Sequence, residues 1–149
     1  MPNGPGDEVV LGRASEATLT FGVPVADPDV SGSMRVPVTL RTSRLTTRQD
    51  LELESWAGGA RRLVAFLDEL ADAWRGWSGI KEWSDDHYGA RFQATHDGIG
   101  TVALDVRFEP SSGWETPGST IVRVVVPVDP GAFESAGRFL KRHLSEADA

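Results

Sequence analysis

The sequence predicts an α+β domain in which an antiparallel sheet of six to eight strands carries two helices packed on one face. Stretches of alternating apolar and polar residues occur in two groups, and a segment with apolar residues at helical spacing follows each group. Each helical segment has a single apolar stripe, and a sheet surface can cover both stripes. The 149 residues are enough for one domain. We expect it to span residues 9–145, between a flexible tail at 1–8 and a short one at 146–149.

The first group predicts four strands. Residues 9–11 form a short apolar stretch, and residues 18–25 alternate until Pro24, which indicates an edge position or a strand end. Residues 34–41 and 45–54 alternate in the same way, with acidic side chains facing water in the second of them. A meander of neighbouring strands is the simplest arrangement.

The first helix is predicted to begin near residues 58–61. Its apolar positions repeat at steps of three and four, which gives one stripe consisting of Leu63, Phe66, Leu67, Leu70 and Trp74. Gly76 then suits the left-handed position that commonly ends a helix.

The second group predicts strands at 80–84, 88–96, 101–108 and 121–128. Inward residues of the strand at 88–96 can pair with inward residues of the strand at 101–108 only if the connecting loop has an odd length or a bulge. A loop at 97–99 with a bulge at Gly100 is one example.

The last strand is apolar on both faces except at Arg123, so it lies in the centre of the sheet or its second face meets a partner. A homodimer is one form that such a partner could take. Asp129 and Pro130 then open the second helix as cap and first residue. Phe66-Leu67 and Phe139-Leu140 hold similar places in the two helices, which suggests a distant internal repeat.

The composition excludes several classes of function. The chain has no cysteine, so disulfides, thiolate zinc sites and cysteine nucleophiles are ruled out. The first residues have no signal-peptide pattern and no apolar run reaches the length of a membrane span, so we expect a cytoplasmic protein that does not enter a membrane. A net charge of -7 disfavours nucleic acid and favours a basic protein partner.

Two motifs that carry chemistry in other proteins are better explained by structure here. Residues 98–103 fit the spacing GxGxxA, but a strand rather than a helix follows, so the sequence does not predict a dinucleotide site. His87 and His96 would lie roughly 30 Å apart along a straight strand at about 3.3 Å per residue, so they cannot share a metal ion. No GxSxG elbow or Walker loop occurs either. We therefore expect no cofactor, no metal and no enzymatic activity.

Five tryptophans form the most distinctive residue class. Trp74, Trp77 and Trp83 surround the end of the first helix, where they form either a core cluster or a ligand cleft between sheet and helices. Trp114 stands in a polar loop, where an aromatic side chain either fixes the loop or recognises a partner.

The run Phe66-Leu67-Asp68-Glu69-Leu70, followed by Trp74-Arg75-Gly76-Trp77, Trp83 and residues 95–102, resembles an uncharacterised domain family common in Streptomyces and its relatives. Its members have a helix of the type FxxxLAxxWRGW and a strand pair joined by an HDGxGxV turn. The resemblance covers about residues 36–144 and implies a fold without a known activity. More distantly, the chain is similar to WapI-type immunity proteins of bacterial toxin systems, although Thr101 stands where those often have histidine.

These observations lead to the hypothesis of a non-enzymatic protein-binding domain, which neutralises a partner protein as an immunity protein does. The expected partner-binding residues are Glu52, Glu54, Asp85, Asp86 and Trp114. The alternative is a small-ligand-binding domain with a cleft lined by Trp74, Trp77 and Trp83.

Overall fold

The computed structural model describes residues 7–26, 33–54, 59–85, 89–109 and 120–147. Within these ranges the chain forms nine strands and two helices. Their order is β1 Glu8–Arg13, β2 Ala17–Gly22, β3 Val25–Ala26, β4 Ser33–Thr42, β5 Thr46–Glu54, α1 Gly59–Asp72, β6 Lys81–Ser84, β7 Ala90–His96, β8 Val102–Phe108, β9 Val122–Val128 and α2 Gly131–Ala147. All pairings between these strands are antiparallel. The α+β class with two helices is therefore confirmed.

The strands form two sheets, so the prediction of one sheet of six to eight strands is wrong. In the first sheet β1 pairs with β2, while β4 pairs with β2 and β3 along one edge and with β5 along the other. The second sheet is a meander in the order β6-β7-β8-β9. The chain passes through α1 between β5 and β6, and the second group of strands starts a new layer instead of extending the first.

Pro37 explains why the strand predicted at residues 18–25 is divided into β2 and β3. The pairing with β4 runs up to Phe21 opposite Val38 and resumes at Val25 opposite Arg35. Pro37 lies between these two pairs and has no N–H to donate to a neighbouring strand, so the ladder is interrupted there. Gly22 packs against the ring at this break, where a Cβ would lie 2.9 Å from Pro37 Cγ.

β9 lies at an edge of its sheet, because its hydrogen-bonded neighbour among the described strands is β8 alone. The expectation that residues 121–128 form a central strand is therefore wrong. Pro127 within β9 fits an edge position, because proline has no N–H to donate to a further strand. The other alternative, that the second face of this strand meets a partner, stays a prediction.

The two sheets and α1 meet at Phe92 in β7. Its ring makes an edge-on contact with Phe21 of β2 at 6.2 Å between centroids, and it lies 6.5 Å from the ring of Phe66 in α1. Phe21 and Phe92 are fully buried. These contacts place one hydrophobic core between the two sheets and beneath α1.

The helices pack against each other, α1 next to β5 and β6 and α2 next to β1. A Cβ on Gly137 of α2 would lie 2.9 Å from a carboxylate oxygen of Asp68 in α1, and Lys141 forms an ion pair with Asp68 at 2.8 Å. Each half of the chain is thus an antiparallel sheet followed by a helix, as the suggested internal repeat requires. Neither described helix has the length and apolar character that crossing a membrane needs.

Candidate functional site

Three of the acidic residues expected to contact a partner, Glu52, Glu54 and Asp85, are described, and all three are engaged within the chain. Glu52 and Glu54 lie on the outward face of β5, where Glu52 is 4.0 Å from Arg35 and Glu54 accepts a hydrogen bond from the hydroxyl of Ser33. Arg35 thus partly offsets the charge of Glu52, and the Ser33 hydroxyl occupies one carboxylate oxygen of Glu54. Asp86 and Trp114 lie outside the described residues.

Asp85 is buried, with 2% of its surface exposed, so its side chain does not reach a partner surface. Its Oδ1 accepts hydrogen bonds from the backbone N–H groups of Gly89 at 2.8 Å and Ala90 at 3.3 Å, and its Oδ2 accepts from Glu52 N–H at 3.1 Å. Because Glu52 belongs to β5 and Ala90 to β7, this carboxylate joins the two sheets. Its role in the described structure is to hold the fold together, which corrects the expectation of a partner contact.

The three tryptophans near the end of α1 occupy different environments and do not line a common cleft. Trp83 is buried in the core with its ring 5.2 Å from Phe92. Trp77 is half-buried and lies edge-on to the ring of His96 at 5.3 Å. Trp74 is 55% exposed because α1 ends at Asp72, before the position where Trp74 would continue the buried stripe. The predicted ligand cleft with all three side chains is therefore not formed.

His96 connects the end of α1 to the loop between β7 and β8. Its ring accepts a hydrogen bond at Nδ1 from the N–H of Gly98 at 2.9 Å, so Nε2 carries the proton and donates to the carbonyl oxygen of Trp74 at 3.0 Å. The side chain is almost completely buried against Trp77. His96 therefore fixes the positions of Trp74 and of the following loop relative to each other.

The β7–β8 loop comprises residues 97–101, because His96 pairs with Val102. Its odd length agrees with the requirement set by the alternating faces, although it is longer than the loop at 97–99 offered as an example. Gly98 and Gly100 have φ angles of +83° and +117°, a region that L side chains rarely adopt. Ile99 stands between them and is 91% exposed.

Asp97 orders this loop. Its Oδ1 accepts hydrogen bonds from the N–H groups of Thr101 at 3.0 Å and Ile99 at 2.8 Å. These bonds, that from Thr101 first, lower the pKa of the Asp97 carboxyl below its ordinary value, since they stabilise the charged form. The carboxylate thereby keeps the backbone of Ile99 in one conformation.

Three large apolar side chains are exposed at this end of the second sheet. Ile80 directly precedes β6 and is 61% exposed. It lies at the same end of the sheet as the β7–β8 loop, because its neighbour Lys81 pairs with Ala94 near the end of β7. We call Trp74, Ile80 and Ile99 the apolar end surface. Beside it is a hollow of about 340 Å³ lined by Ala71, Trp74, Gly100, Pro130, Gly131 and Glu134.

Sequence reasoning missed Ile80 and Ile99 as candidate contacts. The available signal was their position directly after or between glycines, because an apolar residue in a glycine-rich turn has little opportunity for burial. Within the described ranges no group of three histidine, aspartate or glutamate side chains is arranged to hold a metal ion.

The fold and this surface define an α+β domain of two antiparallel sheets and two helices with an apolar end surface. The chain belongs to a family of unknown function, DUF6228, whose model matches residues 11–146. The resemblance to an uncharacterised domain family is thus confirmed at that level. No curated protein was found to match the chain. A solved structure of the plant transcriptional regulator PBF-2 is similar to it, with 16% identity, a TM-score of 0.49, and coverage of 99% of this chain and 86% of that one.

Proposed function

We propose that this protein is a protein-binding domain whose docking surface is the apolar end surface formed by Trp74, Ile80 and Ile99. The observation that carries the proposal is the exposure of these three large side chains at one end of the same sheet. Single exposed apolar residues are normal on protein surfaces, whereas a group of them commonly marks an interaction site. Aromatic residues are also enriched among those that dominate binding energy.

The local structure supports this proposal because the surface is held in place before any partner arrives. His96 bonds to the backbone of Trp74 and Gly98, and Asp97 bonds to the backbone of Ile99. A docking surface that is already ordered loses less conformational entropy on binding, and more of its contact energy is available as affinity. In this proposal, residues 96–101 form a turn that presents Ile99 to a partner, which explains the histidine, aspartate and glycines found there.

The expected partner is a protein with an apolar pocket for Ile99 and a basic surface around it. The net charge of -7 speeds the encounter with a basic partner. The resemblance to WapI-type immunity proteins suggests that the partner is a toxin, neutralised by coverage of its basic site. An immunity protein and its toxin are commonly encoded side by side, so the products of neighbouring genes are the first proteins to test.

The decisive experiment compares Ile99→Ser with Val25→Ser by isothermal titration calorimetry against those gene products. Val25 is a matched control because it is also a large apolar residue, 58% exposed, but it lies in β3 of the other sheet. Ile99→Ser is expected to weaken binding by about tenfold or more, which corresponds to roughly 1.4 kcal/mol and is typical of a central contact residue. Val25→Ser is expected to bind like the wild type.

A second measurement does not depend on choosing the partner in advance. A photo-crosslinking phenylalanine analogue at position 99 is expected to capture one discrete protein in the source cells, and the same analogue at position 25 is not. Equal binding by both serine variants, or identical crosslinking patterns from both positions, would refute the assignment of the surface. Failure of every neighbouring gene product to bind the wild type would refute the immunity-like role.

A further inference from the structure

The outward face of the second sheet carries two adjacent rows of opposite character. Register places Arg91, Arg107 and Arg123 side by side on β7, β8 and β9, and we call them the basic row. The next row consists of Glu82, Gln93, Asp105 and Val125, and we call it the acidic row. The alternate residues of β8, from Val102 to Phe108, are buried in the core, so both rows face outward.

The basic row is not fully compensated by acids of the described chain. Arg123 forms a two-pronged ion pair with Asp105 at 3.0 and 2.5 Å. Arg107 forms an ion pair with Glu109, whose Oε1 lies 2.9 Å from Arg107 Nε, whereas no acid among the described residues pairs with Arg91. Like charges directly opposite on neighbouring strands destabilise a sheet. Of the three arginines, Arg91 is therefore the one whose charge no described acid offsets, and another molecule could supply that counter-charge.

The same face has an apolar margin along its edge strand. Ile121 and Val125 are about half exposed, and Pro127 points to the same side of β9. These exposed aliphatic side chains give the face apolar surface that contact with another molecule would bury. Neither Ile121 nor Val125 belongs to the apolar end surface.

A small free oxyanion fits this face less well than a surface with both signs of charge. A hollow of about 120 Å³ is lined by Arg91, Gln93, Asp105, Arg107 and Arg123, which is large enough for a phosphate-sized group. However, the Asp105 carboxylate forms part of the same hollow and would repel an anion. A second copy of this chain supplies arginine and carboxylate together.

We propose that two copies of this chain associate face to face through the outward side of the β6–β9 sheet. The two copies are related by a two-fold axis that lies in the plane of the interface. The axis runs parallel to the two rows and midway between them, so the basic row of each copy lies over the acidic row of the other. Arg107 then faces Asp105 of the second copy, and Ile121 faces Pro127 of the second copy. An interface related by a two-fold axis must be complementary to itself, and Arg107 opposite Asp105 satisfies that condition, while Arg91 and Arg123 face Gln93 and Val125.

The size of the face sets the expected strength. Four strands spaced about 4.8 Å apart, three of them seven residues long and β6 four, at about 3.3 Å per residue give a face of at most roughly 19 by 23 Å. This is smaller than the roughly 800 Å² that each partner contributes to a standard interface. The dimer is therefore weak and depends on concentration, with a dissociation constant on the order of 100 µM.

Sedimentation velocity of the full chain, alone and in mixtures, tests this interface. The wild-type mass is expected to rise from 16.1 kDa toward twice that value as concentration increases through the dissociation constant. In the dimer, Arg107→Asp places an acid at position 107 opposite Asp105 of the second copy, and Asp105→Arg places an arginine at position 105 opposite Arg107 of the second copy. Each variant alone is therefore expected to remain monomeric. In an equimolar mixture both contacts become attractive, and heterodimers are expected to form.

The matched control is the pair Arg48→Asp and Asp50→Arg. These residues are exposed, lie two positions apart on β5, and face outward from the other sheet. Both are expected to dimerise like the wild type, and their mixture is expected to gain nothing. Far-UV circular dichroism of all variants establishes that they are folded.

A wild-type chain that stays at 16.1 kDa at about 1 mM, roughly ten times the expected dissociation constant, overturns the proposal. A mixture of the Arg107→Asp and Asp105→Arg variants that remains monomeric overturns it as well. If the wild type is monomeric and inorganic phosphate raises its melting temperature but not that of Arg91→Ala, the face binds a small oxyanion instead. These outcomes are independent of the docking surface proposed above, because the two surfaces share no residue.

Discussion

Replacement of Asp85 by alanine should destabilise the protein more than the loss of an ordinary surface acid. Asp85 is buried and accepts hydrogen bonds from three backbone N–H groups, those of Gly89 and Ala90 at the start of β7 and that of Glu52 in β5. Alanine removes the acceptor and leaves these donors without it. Water cannot replace the carboxylate easily at a site that is 2% exposed.

The expected loss is about 4 kcal/mol of unfolding free energy. A buried donor left without a partner costs about 1–3 kcal/mol. The bonds of Gly89 at 2.8 Å and Glu52 at 3.1 Å are short, and about 2 kcal/mol is reasonable for each. The bond of Ala90 at 3.3 Å is longer and adds less. Asp85→Asn keeps one acceptor oxygen, so about half of that loss is expected.

Urea unfolding followed by tryptophan fluorescence measures this change. With a slope of about 2 kcal/mol per molar urea, Asp85→Ala is expected to lower the midpoint by about 2 M without changing the slope. Asp50→Ala is the control, since Asp50 is an exposed acid on β5, and it should change the unfolding free energy by less than about 0.5 kcal/mol. If Asp85→Ala and Asp50→Ala have the same midpoint, the structural role of Asp85 is refuted.

Three further predictions concern the turns and the core. Gly12→Ala should destabilise the protein strongly, because a φ of +107° is strained for alanine and the new Cβ would lie 2.6 Å from Val126 Cγ1. The control Gly79→Ala, at φ +84° with no atom within 4 Å of the new Cβ, should lower the free energy of unfolding by only about 1–2 kcal/mol. Equal melting temperatures of the two variants would contradict this prediction. The lowered pKa of Asp97 means that its stabilising contribution is present at neutral pH and is lost as pH falls from the ordinary value of 3.8 through the folded-state pKa. An NMR titration of the Asp97 carboxyl carbon should give a midpoint below pH 3.8, and Thr101→Pro should raise this midpoint toward 3.8. A wild-type midpoint at 3.8 or above would be inconsistent with the loop hydrogen bonds. Phe92→Ala should cost about 3–5 kcal/mol by chemical denaturation, since it removes the ring on which both sheets and α1 pack, and a loss below about 1 kcal/mol would show that the core lies elsewhere.

Local sequence pattern was sufficient to locate most of the secondary structure. The alternation Ala90, Phe92, Ala94 identified the inward face of β7, because side chains point to opposite sides at successive residues of any strand. The stripe Leu63, Phe66, Leu67, Leu70 identified the buried face of α1 for the analogous reason. These rules depend on neighbouring residues only, so a single sequence carries them.

The candidate site was predicted less well because exposure depends on distant contacts. Trp74 continued the apolar stripe of α1 in sequence, yet the helix ends before it and the side chain is exposed. Asp85 looked like a surface acid, yet it is buried because the N–H of Glu52, 33 residues earlier, is brought to it. The importance of Ile99 depends on Asp97 and on the two glycines beside it, whose conformation the tertiary structure shows.

By itself, the sequence determined which residues form most of the strands and helices, which faces are apolar, and that the β7–β8 connection has either an odd loop or a bulge. Only the tertiary structure decided that these strands form two sheets, that β9 is an edge strand, and that Arg91, Arg107 and Arg123 form one row. The physical reason is that periodicity is a property of adjacent residues, whereas strand partners and sheet layers are chosen by contacts between segments far apart in the chain. Phe21 and Phe92 illustrate the difference, since each is recognisable as buried but nothing local indicates that they touch.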